Sequence, residues 1–158
     1  MLDTASTRER ALFPTTSESR SAPDWEGFLR ALIETLDEHM AAEERAVLLR
    51  AIGQRIAMRS PIPPEPTLAG LEARMNERLA EPRWGSISIA LDADGPALVL
   101  IHAAPPRLSA GQGGSDWIAP VLEGLHTGWI GTQPGAAPDI GARLVSADER
   151  GLVIRYGA

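Results

Sequence analysis

The sequence predicts an α+β protein: three helices, a β-hairpin, a fourth helix and a second β-hairpin, in the order ααα-ββ-α-ββ, with one antiparallel sheet covered by helices on one side. Three observations lead there. Apolar residues recur at helical spacing through the first half, most clearly at Trp25, Phe28, Leu29, Leu32, Ile33 and Leu36. The period drops to two at residues 86–91, where Ile87, Ile89 and Leu91 alternate with Ser86, Ser88 and Ala90. Helical spacing then returns between two strand pairs, in the segment DWIAPVLEGLHTGWIGT at residues 116–132.

The elements follow in order. Residues 1–22 are rich in Ser, Thr, Arg and Glu without a sustained period, and read as a disordered arm before one domain at 23–158. A first helix covers 24–39. A second covers 41–59, with Val47, Leu48, Ala51, Ile52 and Ile56 as its expected buried face and Gly53 allowing close helix packing. SPIPPEP at 60–66 holds four prolines, which remove donors and force extended geometry, so it is a rigid connector. Thr67 caps a third helix whose seam is Leu68, Leu71, Met75 and Leu79. Asp94-Gly95 suggests a type I′ hairpin turn, and the unbroken apolar run 97–103 suits a central strand. Residues 104–114 read as a mobile loop. The fourth helix, about 116–131, is capped by Ser115 or Asp116, tolerates Pro120 in its first turn and presents Trp117, Ile118, Val121, Leu122, Leu125 and Trp129 on one broad face. A second hairpin spans 140–156.

Composition narrows the function. A chain of 158 residues is one domain by size and buries roughly 70% of its extended surface. Cysteine is absent, which removes disulfides and thiolate chemistry, and all basic residues are arginine, which removes lysine bases, Schiff bases and a P-loop lysine. The net charge of −6, with no basic stripe, argues against nucleic-acid binding. There is no apolar stretch long enough to span a membrane and no apolar core of a secretory signal near the N-terminus, so the expected location is cytoplasmic.

Several short motifs invite chemistry, and each has a plainer reading. Glu123 and His126 form E-x-x-H, but di-iron bundles need two such pairs and further carboxylates, so a solvated helix face is expected. Asp92-Ala93-Asp94-Gly95 starts like a calcium loop and lacks its later ligands. Gly111-Gln112-Gly113-Gly114 precedes a helix without the lysine or βαβ setting of a phosphate cradle. His39, His102 and His126 lie far apart with no nucleophile assigned to any of them, and His102 reads as a tucked strand-end side chain. No pair among the 21 acidic residues stands out as glycosidase carboxylates. No metal, cofactor or catalytic residue is expected.

The run W-I-A-P-V-L-E-G-L at 117–125, followed by Trp129 and then Gln133, Gly135 and Ala136, resembles the operon protein D family of bacterial cellulose synthesis. The resemblance extends over about 23–156 through P-D-W-x-x-F-L at 23–29, L-L-R-x-I-G at 48–53 and W-G-S-I-S-I at 84–89. It implies a noncatalytic accessory subunit of cellulose synthesis that forms dimers, four of which close into a homo-octameric ring whose passages accept β-1,4-glucan chains. It also implies association with other cellulose synthase subunits, and so a place at the inner membrane. The passage lining carried over by the resemblance is Ser17, Glu18, Ser19, Arg20, Ser21, Ala22, Pro23, Asp24 and Trp25. Trp117, Pro120, Leu122, Leu125 and Trp129 are expected to shape fold and assembly. The arm is longer than the family pattern. A small glucan-acting hydrolase and a purely protein-binding scaffold remain the alternatives.

Overall fold

The computed structural model describes residues 24–108 and 117–157. The expected arm, the Ser17 to Pro23 part of the passage lining, most of the 104–114 loop and the Ser115 or Asp116 cap lie outside these residues. Among the described residues four helices, α1 (Glu26–His39), α2 (Ala42–Arg59), α3 (Leu68–Ala80) and α4 (Ile118–Gly131), accompany four strands, β1 (Ser86–Leu91), β2 (Leu98–Ala103), β3 (Ala142–Ala147) and β4 (Gly151–Tyr156). The order is ααα-ββ-α-ββ, and the strands form one antiparallel sheet in the order β1-β2-β4-β3. The two hairpins meet through β2 and β4, so the most apolar strand is central.

Register places the core. Ile87, His102 and Leu152 lie opposite one another, as do Ile89, Leu100 and Ile154, and their side chains share the inner face. Alternation in the strands puts Ser86, Ser88, Ala90, Ile101 and Ala103 on the outer, exposed face. α4 packs between the inner face and α2, and is buried on nearly every side, from Ile118 through Ile130. Pro120 falls in its first turn, where its missing N–H is tolerated. Thr67 Oγ1 accepts the Gly70 N–H at 3.0 Å and caps α3, whose Leu71, Met75 and Leu79 are buried.

The buried face of α2 differs from the expected one. Leu49, Gly53 and Ala57 are buried, while Val47, Leu48, Ala51 and Ile52 are exposed. The reason is close approach. A Cβ at Gly53 would strike the Val121 carbonyl, one at Gly124 the Arg50 carbonyl, and one at Gly128 the Ala57 methyl. Small residues let the two backbones touch beside Leu49, and Val47, Leu48 and Ile52 are left on the far side.

The turn after β1 is also not type I′. Gly95 lacks a positive φ, and residues 92–97 form a longer loop closed by Asp92 N–H on the Ala97 carbonyl at 2.8 Å. Asp92 Oδ1 accepts the Asp94 N–H, and Arg155 Nε donates to Asp92 Oδ2 at 2.8 Å. The connector is tied to the end of α4: Trp129 Nε1 donates to the Ser60 carbonyl at 2.8 Å and Gln133 Oε1 accepts the Glu65 N–H at 2.9 Å.

Both outer strands have several of their free backbone groups met by helix side chains. On β1, Asn76 accepts from Ile87 N–H at 2.7 Å and donates to the Ile87 carbonyl, while Glu72 accepts the Ile89 N–H at 2.7 Å. On β3, Thr127 Oγ1 accepts the Ala142 N–H and Glu123 Oε1 the Leu144 N–H.

Candidate functional site

The described part of the proposed passage lining is the start of α1. Asp24 Oδ1 accepts the Glu26 N–H at 2.9 Å and turns the chain into the helix. Trp25 stands just before the helix, 60% exposed, edge-on to Phe28 with ring centroids 5.9 Å apart. None of the α1 residues is buried. Its amphipathic stripe, which the sequence marks so clearly, touches the core only through half-buried residues such as Ile33. Phe28 and Leu32 are exposed, and Leu48 and Ile52 add exposed apolar surface on α2. Arg30 pairs with Glu26 at 2.9 Å, and Arg45 pairs with Asp37 across the α1–α2 corner.

The residues expected to shape fold and assembly are placed differently from one another. Leu122, Leu125 and Trp129 are in the core, whereas Trp117 and Pro120 are half-buried at the entry of α4. Trp25 and the Trp117 helix therefore do not come together in one cleft among the described residues.

Glu123 and His126 are not on a solvated face; both are buried. Glu123 joins three elements: it takes Arg50 Nε of α2 at 2.5 Å and the Leu144 N–H of β3 at 2.7 Å. His126 instead meets His102, with Nε2 3.2 Å from His102 Nδ1, and His102 Nε2 lies 2.6 Å from the Trp84 carbonyl. Burial in the core, reinforced by His102, pushes His126 down to about 3. Burial also lowers His102, opposed by the bond to the Trp84 carbonyl. Both rings serve the structure, joining β2 to α4 and to the Trp84 carbonyl. Among the described residues no group of three or more His, Cys, Asp or Glu could hold a metal ion, and no helix is long and apolar enough to cross a membrane.

Sequence spacing alone missed the roles of Gln133, Glu72 and Asn76. Gln133 belongs to the Q-x-G-A mark, and Gly135 two residues on has φ +84°, so a turn at this place was signalled. Its bond to the connector was not.

The family model for the D subunit of cellulose synthase matches residues 12–157. A cellulose synthase operon protein D of Komagataeibacter xylinus is 39% identical over 118 residues, covering 74% of this chain and 76% of its own length. Another protein of that name from the same organism is 35% identical over 141 residues, covering 85% of this chain and 90% of its own. One from Komagataeibacter sucrofermentans is 39% identical over 118 residues, with 74% and 76% covered. With a match this long and a fold of the expected order, the chain belongs to the cellulose synthase operon protein D family.

Proposed function

We propose that this chain is a noncatalytic accessory subunit of bacterial cellulose synthesis, working as a ring-shaped octamer built from four dimers, through which nascent β-1,4-glucan chains are guided. Family membership supports the role in cellulose synthesis. The observation that carries the assembly is α1, an amphipathic helix with no buried residue. A helix of 14 residues is marginal on its own in water, and an apolar stripe of this kind marks an interface.

A ring of dimers needs two different contacts per subunit. Two apolar surfaces support this. One is the α1–α2 face with Phe28, Leu32, Leu48 and Ile52; the other is the outer face of the sheet around the exposed Ile101. They lie on opposite sides, because α4 separates α2 from the sheet.

A guided polymer has to be held weakly at many points. The hydroxyls and main-chain groups of Ser17 to Asp24 suit that through direct and water-bridged hydrogen bonds, and Trp25 offers one exposed ring. Association with other synthase subunits at the inner membrane follows from the same reading. The test is solution mass together with cellopentaose binding, on the whole chain and on chains lacking residues 1–16 or 1–25. The shorter deletion keeps the octamer and sugar binding; the longer one weakens binding. A monomeric mass of 16.9 kDa at micromolar concentration, or reducing-sugar release from cello-oligosaccharides, overturns the reading.

A further inference from the structure

A cleft of about 470 Å³ opens where the connector, the start of α3, the β1–β2 loop and the turn after α4 converge. Its walls are apolar, with Leu71, Leu91, Leu98, Ile130 and Ile140 among them. Tyr156 lines it too, 6% exposed, and its buried hydroxyl has no hydrogen-bond partner. The other polar side chains of the cleft are engaged: Gln133 bonds to Glu65 N–H and the Trp129 carbonyl, Glu65 pairs with Arg74, and Thr67 caps α3. A cleft of this size falls in the range of small-ligand sites. Its chemistry calls for an apolar body with a single hydrogen-bonding group. A glucan does not fit, since each sugar hydroxyl would lose water and find no partner.

We propose that this cleft is a docking site for Leu12-Phe13-Pro14 of the same chain, with a main-chain carbonyl of that segment accepting from the Tyr156 hydroxyl. Residues 1–23 contain two apolar pairs, Met1-Leu2 and Leu12-Phe13, and only the second is flanked by further apolar residues, Ala11 and Pro14. The family match also begins at residue 12. Pro14 has no N–H and a proline disfavours helical geometry in the residue before it, so an extended segment here would bring carbonyl acceptors and few donors into a cleft with few partners. Charge agrees: Arg8 and Arg10 precede Leu12 and outnumber Glu9, while Asp139 belongs to the exposed loop forming one wall. Ten residues from Pro14 to Asp24 span up to about 33 Å, comparable with the full width of a domain of this size. Burial raises the Tyr156 phenol above its usual value and keeps it a neutral donor. The inference stands independently of glucan guidance.

Tyr156 is the only tyrosine, so biosynthetic 3-fluorotyrosine gives one ¹⁹F reporter inside the cleft. The whole chain and a chain lacking residues 1–16 are expected to show different resonances. A synthetic peptide of residues 8–16 should restore the whole-chain resonance to the truncated protein. The same peptide with Leu12→Asp and Phe13→Asp should bind at least about tenfold more weakly, and these substitutions in the whole chain should reproduce the truncated resonance. The inference is overturned if whole and truncated proteins share one resonance, if millimolar peptide leaves it unmoved, or if only added cello-oligosaccharide or raised protein concentration moves it.

Discussion

Gly124 of α4 and Arg50 of α2 stand back to back: a Cβ on the glycine would collide with the Arg50 carbonyl, its carbonyl carbon and its Cα. One turn away, Gly128 meets the Ala57 methyl, and on the facing helix Gly53 meets the Val121 carbonyl. The Arg50 side chain then reaches Glu123, the residue before Gly124, at 2.5 Å. Contact between the two helix backbones is thus locked by an ion pair at the same level.

Gly124→Ala should destabilise the fold. The added methyl meets backbone, which cannot swing aside, so the cost is expected near that of an overpacked core, about 1–3 kcal/mol. Gly27→Ala is the control, because nothing lies within 4 Å of a Cβ there. It sits in exposed helix, where alanine gains up to about 1 kcal/mol over glycine. Equal melting temperatures for the two variants would show that the helices are free to separate.

Trp129→Ala and Leu125→Ala should lower stability before they affect any sugar contact. Both side chains are buried, and the indole N–H also fastens the connector at Ser60. Losses of about 3–5 kcal/mol for the tryptophan and about 2–5 for the leucine are expected, with melting temperatures falling by roughly 2–4 °C per kcal/mol for a chain of this size. Unchanged melting and mass would place these residues outside the core.

Phe28→Asp combined with Leu32→Asp should act on mass and not on the fold of the single chain. Both residues are exposed there. Helical content by circular dichroism at low concentration should persist to the extent that α2, α3 and α4 supply it, while light scattering reports a smaller assembly. An unaltered mass would remove the α1 stripe from the interface.

Stability should fall as pH drops below about 6.5. His126 and His102 have folded-state values below that of the unfolded chain, so protons bind the unfolded state preferentially. Their contribution is complete above the unfolded value and is lost as pH falls toward the folded values, about 3 for His126. Each contributes a slope of up to about 1.4 kcal/mol per pH unit. Urea denaturation at pH 7, 6 and 5 reads this before most carboxylates titrate. A flat profile over that range would refute it.

The sheet and α4 were legible in the sequence because each carries a strong period. Ile87 and Ile89 alternate with serines, and Ile118 to Trp129 repeats every three or four residues. The face of α2 was legible chiefly at Gly53, read as a place of close helix packing. Val47, Leu48 and Ile52 give the stronger apolar signal, yet backbone contact through Gly53 and Ala57 decides which side is buried. Glu123 and His126 were misread for a related reason: a polar residue on a helix suggests water until its partners, Arg50, Leu144 N–H and His102, are brought from distant parts of the chain. Of the candidate lining, only Asp24 and Trp25 fall among the described residues.

Glu72 and Asn76 at one edge of the sheet, and Glu123 and Thr127 at the other, occupy several of the hydrogen-bonding groups that a further strand would need. Edge-to-edge stacking of copies, the simplest route to open-ended growth into a cross-β fibre, is thereby disfavoured. Contact between copies would then fall to side-chain surfaces such as the exposed Phe28 and Leu32 of α1. For a member of a cellulose-synthesis family, the two sheet edges are thus guarded by the same helices that build the core.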